Sequence, residues 1–323
     1  MRRELTTFEK RLCNALQNGL PVCRRPYAEV AKQLGVDEQK VLEGTRRLAK
    51  RGVIRRIGAV INWRAIGKAS TLVTACVPER KMKKVVEAVN ELEGVSHNYL
   101  RKHRYNLWWT LRANSQREIT AVLKKLSKQF SVEFYSLPAQ RIFKLDVRFN
   151  AQSGGRRLLG VSGTGPLPKA CRGRQAEMDE ADRRILAGLQ EGLEVVERPY
   201  NFLCKDDLSI SEVLTRLATM LEKGVIYRIG AVVNHHKLGF VANAMFVCKV
   251  GGARVIETGQ KLAELNIVSH CYQRKTFAGW PFNIFAMMHG RSQADIRRVV
   301  DRFVREEKIR SFEVLATVEK LRK

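Results

Sequence analysis

The sequence predicts an α+β protein built twice over. Each copy is a winged helix-turn-helix followed by a four-stranded, two-helix βαββαβ domain, and the two halves are expected to form a pseudo-dimer within one chain. Three blocks that recur in the same order at nearly one offset predict this. Arg25-Pro26-Tyr27 returns as Arg198-Pro199-Tyr200, 173 residues later. The run from Gly52 to Asn62 (Gly-Val-Ile-Arg-Arg-Ile-Gly-Ala-Val-Ile-Asn) returns from Gly224 to Asn234, 172 later. Val95-Ser96-His97-Asn98-Tyr99-Leu100-Arg101 returns as Val268-Ser269-His270-Cys271-Tyr272-Gln273-Arg274, 173 later. A fixed period of this kind is the mark of a duplicated structural unit.

Taken in order, the first copy opens with a helix whose apolar stripe is Phe8, Leu12 and Leu16, matched by Ile185, Leu186 and Leu189 in the second. A short helix from Tyr27 ends at Gly35, and another runs from about Asp37 to Arg51 with Val41, Leu42, Thr45 and Leu48 inward. Gly35 permits the tight turn and Asp37 caps the helix that follows, which makes a helix-turn-helix. Val53 to Asn62 alternates basic and β-branched residues and reads as a wing-like strand. The expected strands of the next domain lie near 71–77, 94–101, 105–112 and 132–137, with helices near 80–92 and 116–129. In copy two they lie near 241–250, 267–274, 282–289 and 311–318, with helices near 254–264 and 292–306. This order gives a ferredoxin-like sheet with both helices on one face and the other free for a partner sheet or a ligand. The expected domains are 1–62 and 63–150, a Gly- and Pro-rich linker over 151–177, then a degenerate winged helix-turn-helix over 178–234 and the second ferredoxin-like domain over 235–323.

Composition limits the function. No run of about 18 apolar residues occurs, so no membrane span is expected, and the first residues do not read as a secretory signal. Seven scattered cysteines without Cys-x-x-Cys spacing point to a reducing cytoplasm and against a cysteine-held metal. The net charge of +27 calls for a polyanionic partner: nucleic acid, acidic lipid or a multiply carboxylated small molecule. Residues 1–150 hold 31 Lys and Arg against 13 Asp and Glu, so copy one carries most of the excess.

This layout resembles the Lrp/AsnC transcription regulators over nearly the whole chain. A DNA reader needs Arg, Lys, Asn or Gln facing base edges on two equivalent heads. Copy one offers Gln39, Lys40, Arg46 and Arg47, whereas copy two has Asp206-Asp207-Leu208-Ser209-Ile210-Ser211-Glu212 there, so DNA binding is disfavoured. Strand alternation instead sets His97, Tyr99 and Arg101 on one face, and His270, Tyr272 and Arg274 on another. Imidazole, phenol and guanidinium in a row suit a flat carboxylated ligand, with Asn106 and Trp108, or Trp280 and Asn283, on the neighbouring strand.

The strings at 97–108 and 269–283 closely resemble those of the sirohaem decarboxylases, which share the Lrp/AsnC architecture. The first follows the family's His-Asn-Tyr-x-Arg-x-His-x-Tyr-Asn-Leu-Trp pattern. The second follows Ser-His-Cys-Tyr-x-Arg…Trp-Pro-Tyr-Asn, with Phe282 in place of the usual Tyr, so the chain looks like a fusion of two subunit types. Copy two lacks a counterpart of His103 and carries an inserted Gly279-Trp280-Pro281 turn. The resemblance implies oxygen-independent loss of two acetate carboxylates from sirohaem, giving 12,18-didecarboxysirohaem for haem or haem d1. It implies His97, His103 or His270 as proton donor, and Tyr99, Tyr272, Arg101 and Arg274 as carboxylate ligands. Trp108, Trp109 and Trp280 would wall the macrocycle. Asn106 and Asn283 would orient a His or a carboxylate, or sit structurally at a strand edge. Arg56 and Arg228 would reach the ligand from the wing or contact phosphate on a vestigial DNA surface. No cofactor or metal of the protein's own is expected, since the iron belongs to the substrate. A regulator sensing a tetrapyrrole, a non-catalytic tetrapyrrole carrier, and a homo-oligomer beyond the internal pair stay open.

Overall fold

The computed structural model describes residues 4–145, 148–152, 176–205 and 208–322. Most of the expected linker, 153–175, and the acidic pair Asp206-Asp207 therefore lie outside the described residues. Copy one runs α1 (Thr7–Asn18), α2 (Pro26–Leu34), α3 (Glu38–Lys50), β1 (Ile54–Ile61), β2 (Ala69–Ala75), α4 (Glu79–Glu91), β3 (Val95–Arg101), β4 (Leu107–Ala113), α5 (Gln116–Phe130) and β5 (Phe134–Leu145). Copy two runs α6 (Glu180–Glu191), a 3₁₀ turn at Asn201–Leu203, α7 (Ile210–Glu222), β6 (Ile226–Val233), β7 (Ala242–Cys248), α8 (Val255–Glu264), β8 (Val268–Arg274), β9 (Ile284–Gly290), α9 (Gln293–Glu306) and β10 (Phe312–Lys320). The expected elements are present, and among the described residues the 3₁₀ turn stands in copy two where copy one has α2.

The chain forms two compact units, and each draws on both copies: 1–66 with 148–241, and 67–147 with 242–323. The crossings fall a few residues from the expected domain limits. In the first unit β1 pairs antiparallel with β6, and Gly58 stands opposite Gly230. The wing-like strand thus finds its partner in the other copy. A Cβ at Gly58 would lie 2.5 Å from the Leu189 carbonyl oxygen at the end of α6, and one at Gly230 2.5 Å from that of Leu16 in α1. Leu193 N–H donates to Ile57 O, and Leu20 N–H to Ile229 O, each at 2.7 Å. Each copy's first helix therefore seats its C-terminal end on the other copy's strand, and the repeated Ile-Gly-Ala segment is what lets it approach.

In the second unit eight strands close a barrel in the order β10-β3-β4-β2-β5-β8-β9-β7. Each copy supplies four strands in ferredoxin-like order, and the sheets join edge to edge at β5–β8 and β10–β3. Closure removes every strand edge. The sheet faces expected to be free become the barrel interior. Outside, α4 and α5 cover one sheet through Val85, Val89, Ile119 and Leu123 against Val73, Trp109 and Leu111. The α8 and α9 helices cover the other through Leu262, Ile296, Val300 and Phe303 against Phe246, Ala286 and Met288.

Candidate functional site

The strand registers decide which residues share an end of the barrel. Around the ring, Thr317 lies opposite Arg101, Ala316 opposite Ala244, Ala242 opposite Gly290, and Val268 opposite Met288. Following these ladders, His97, Ala242, His289 and His270 fall towards one end. Arg101, Cys248, Ile284 and Arg274 fall towards the other, where both hairpin turns lie. Since β3 and β8 are four places apart in a ring of eight, the two His-Tyr-Arg rows stand on opposite walls with their histidines at the same mouth.

Each row is a stacked column. The rings of His97 and Tyr99 stack at 6.2 Å, and the Arg101 guanidinium lies 5.4 Å over Tyr99. Across the barrel, His270 and Tyr272 stack at 6.1 Å, with Arg274 lying 4.5 Å over Tyr272. The two arginines reach in the same way to the neighbouring strand of the other copy: Arg101 Nη1 donates to Leu315 O, and Arg274 Nη1 to Leu137 O, both at 2.7 Å. Arg101 also donates to Thr317 Oγ1 at 3.1 Å and lies 3.8 Å from the Met287 sulfur. Its residue is 4% exposed, its Nε is buried without a hydrogen-bond partner, and no carboxylate is bonded to it among the described residues. Burial pulls its pKa down to about 10, against a smaller opposing effect of Tyr99. Among the described residues, then, this buried cation is held by a carbonyl and a hydroxyl and by no carboxylate.

The histidines are tethered from behind. Ser96 Oγ lies 3.0 Å from His97 Nδ1 and 2.9 Å from Thr110 Oγ1. Ser269 Oγ lies 2.8 Å from His270 Nδ1 and 3.0 Å from His289 Nε2. Sequence reading missed these tethers. Both serines stood in the repeated Val-Ser-His block without a role, and alternation of Phe285, Met287 and His289 along β9 could have placed His289.

Several expected residues do other work. His103 sits at the hairpin end, away from His97. Its Nδ1 accepts from Tyr105 N–H at 2.9 Å and its Nε2 meets Glu313 Oε2 at 2.9 Å, so both ring nitrogens are engaged. Trp108 and Trp280 are each 1% exposed and fill that end of the barrel. Their rings lie 5.2 Å apart, with Tyr105, Phe277, Phe282 and Phe285 around Trp280. Their large apolar area is used as packing rather than as an open wall. Trp109 faces α5 on the outside of the sheet. The Asn106 amide is consumed by Val77, accepting from its N–H at 2.9 Å and donating to its carbonyl at 2.8 Å. Asn283 does the same with Val250, at 3.0 and 2.8 Å. Both pin the chain where β2 or β7 ends, which is the strand-edge alternative.

Arg56 and Arg228 belong to the other compact unit. Arg56 Nη1 donates to the carbonyls of Leu189 at 3.1 Å and Gln190 at 2.8 Å, capping the end of α6. Arg228 Nη1 donates to Ala231 O at 3.4 Å. The would-be reading helix α3 is also committed. Arg46 donates twice to Val195 O, at 3.1 and 2.8 Å, and Gln39 donates to Glu43 at 3.0 Å. Among the described residues no group of three His, Cys, Asp or Glu could hold a metal ion, and no helix is long and apolar enough to cross a membrane.

Comparison with known proteins matches two family models. One is the AsnC-like ligand binding domain, at residues 65–144 and 237–322, and the other is the Siroheme decarboxylase NirDL-like HTH domain, at 9–55. The chain is 31% identical to a siroheme decarboxylase of Hydrogenobacter thermophilus over 98% of its own length and 93% of the relative's. It is 42% identical to the siroheme decarboxylase alpha subunit of Desulfovibrio desulfuricans over 45% of its length and 84% of that subunit. A crystal structure of the siroheme decarboxylase NirDL in co-complex with an iron-uroporphyrin III analogue superposes with a TM-score of 0.73. That match has 28% identity and covers 98% of this chain and 93% of that one.

Proposed function

The chain belongs to the siroheme decarboxylase family, and from that premise we propose that the barrel mouth bearing His97 and His270 is where its substrate reacts. The protein is a carboxy-lyase acting on sirohaem. The observation that carries the placement is the pair of opposed His-Tyr-Arg rows, one of them ending in a buried Arg101 that no carboxylate among the described residues meets. Sirohaem presents eight carboxylates on a flat ring, and an acetate group is an anion that a buried guanidinium can pair with.

The reaction needs one bond broken and one proton supplied. The bond between the acetate methylene and its carboxylate breaks, CO₂ leaves, and the electron pair stays on the methylene carbon, delocalised into the pyrrole. A proton then converts that carbon to a methyl group. An imidazole gives and takes protons near neutral pH, so His97 and His270, which share the mouth, are the donors the geometry favours. Two acetates, those on ring carbons 12 and 18, are removed in turn for haem or haem d1 formation. The iron arrives with the substrate, and the protein's part needs no further cofactor.

The duplicated halves act as an internal pseudo-dimer, with the β1–β6 ribbon as the remnant of two wings. The six cysteines among the described residues are free thiols, which supports a reducing cytoplasm. Anaerobic incubation of the purified chain with sirohaem, followed by mass analysis, tests the reading. Stepwise loss of two CO₂ is expected. Binding without CO₂ release would make the chain a carrier, and sequence-specific retardation of DNA would make it a regulator.

A further inference from the structure

Arg101 of copy one is held by residues of copy two. Its Nη1 donates to the Leu315 carbonyl at 2.7 Å and to the Thr317 hydroxyl at 3.1 Å, both on β10. A guanidinium Nη carries two protons and accepts none, so these two bonds occupy Nη1 completely. Thr317 accepts from Arg101, and its own proton goes on to Asn243 Oδ1 on β7, at 2.5 Å. The opposite orientation of the Asn243 amide would hold the hydroxyl as well, by giving an N–H to its second lone pair. Asn243 is itself pinned, since its backbone carbonyl accepts from Gln293 Nε2 at the start of α9, 3.2 Å away.

The clamp decides which edge of the guanidinium a ligand meets. With Nη1 committed to β10, a carboxylate can be gripped at two points only along the Nε–Nη2 side. Nε is buried there without a hydrogen-bond partner, and Nη2 lies 3.8 Å from the Met287 sulfur, a weak acceptor. The Tyr99 ring, 5.4 Å from the guanidinium, sets its plane from a second direction.

Only part of this arrangement is duplicated. Arg274 makes the same carbonyl bond, to Leu137 O. Its register partner is Ala139, however, where that of Arg101 is Thr317, and Ser70 stands in the repeat where copy two has Asn243. A methyl group thus faces Arg274 where a hydroxyl faces Arg101.

We propose that Thr317 and Asn243 are positioning residues that clamp the Arg101 guanidinium, so that it meets a substrate carboxylate with its Nε–Nη2 edge. This rests on the decarboxylase reading for its consequence in binding, whereas the clamp is a property of the ligand-free protein and is read separately.

Labelling the arginine side chains with ¹⁵N reports the clamp as slow exchange between the two Nη groups, and loss of signal in Arg101→Met assigns Arg101. In the ligand-free wild type its Nη1 and Nη2 signals should be separate. Thr317→Val keeps the shape and removes the hydroxyl, and should speed that exchange about tenfold, the scale of one charged hydrogen bond. The same change should raise KM for sirohaem about tenfold with kcat within about twofold, as expected when a binding group is misplaced. Thr317→Ser, which restores the hydroxyl, should return both readouts towards the wild type, and Asn243→Leu should move both in the direction of Thr317→Val. In the Arg101→Met background Thr317→Val should cost no further affinity, because the hydroxyl acts through the guanidinium. Averaged Nη signals in the ligand-free wild type overturn the proposal, and that measurement needs no variant to fold. So does a folded Thr317→Val with exchange and KM unchanged, or one whose loss adds in full to that of Arg101→Met. If the wild type shows the clamp yet releases no CO₂ from sirohaem, the decarboxylase reading fails and the clamp on Arg101 stands.

Discussion

The imidazole of His103 meets the carboxylate of Glu313 at 2.9 Å, joining the hairpin turn of copy one to β10 of copy two. Tyr105 N–H occupies the other ring nitrogen, and the ring lies edge-on 5.6 Å from Trp280. A histidine so engaged is a strut of the aromatic plug. His103→Ala is therefore expected to cost roughly 1–2 kcal/mol of stability, the scale of a half-exposed charged hydrogen bond, and to lower decarboxylation less than tenfold. Complete loss of CO₂ release in a variant that stays folded by circular dichroism would return His103 to the chemistry.

Arg101 makes the opposite trade. Its folded pKa, about 10, lies below that of a free guanidinium, so the unfolded chain binds this proton more tightly. The sign follows: the penalty of burying the charge is fully present below about pH 10 and is relieved only as the pH rises from there towards the ordinary guanidinium range. A neutral chain of similar length removes that penalty. Arg101→Met should thus leave the ligand-free melting temperature at neutral pH equal or higher, while weakening sirohaem affinity at least tenfold. Titration of folded variant and wild type measures both, and equal affinity would detach Arg101 from the substrate.

In the other unit, Arg56 caps α6 through two carbonyls. Removing it leaves helix-end carbonyls unpaired, so Arg56→Ala should cost about 1–3 kcal/mol. Chemical denaturation reads that loss. Sirohaem turnover per folded molecule should stay unchanged, and a raised KM would give Arg56 back its ligand role.

The element order of both copies was legible because hydrophobic period and turn residues are local properties. The two His-Tyr-Arg rows were legible for the same reason, since alternation along a strand needs no tertiary information. Where alternation ended, so did the reading. Nothing local in Asn106 says that its amide faces Val77, and nothing in Arg56 says that α6 of the other copy ends beside it. Both are long-range pairings fixed by register. At Arg56 and Arg228 the repeat marks a duplicated constraint, and the structure shows one such constraint there, a helix end seated on each strand. His103 was drawn into the chemistry by its place in the motif string, while its partner Glu313 lies 210 residues away. The common mouth of His97 and His270 appears only once four strands of each copy close one ring.

Charge should govern substrate capture. With a net charge of +27 facing a polycarboxylate, the apparent Kd for sirohaem is expected to rise steeply between low salt and about 1 M, where the screening length falls to roughly 3 Å. Fluorescence quenching across a salt series measures it. A flat series would mean that packing, and not the cationic surface, holds the ligand.

The two mouth histidines should fail differently. His97 is tethered through Ser96 to Thr110, and His270 through Ser269 to His289. If His97 delivers the proton, His97→Ala removes a group used only after binding, and kcat should fall by about 2–5 kcal/mol in barrier with affinity largely kept. His270→Ala removes the imidazole on the opposite wall of the barrel. The change should weaken binding or stall the second decarboxylation, so that a monodecarboxylated product accumulates. Mass analysis of product from each single variant separates the cases. Product ratios like those of the wild type from His97→Ala would remove it as donor. Identical total loss from both variants would mean that the histidines act together on each acetate, with the opposed rows serving as one composite centre and not as two unequal ones.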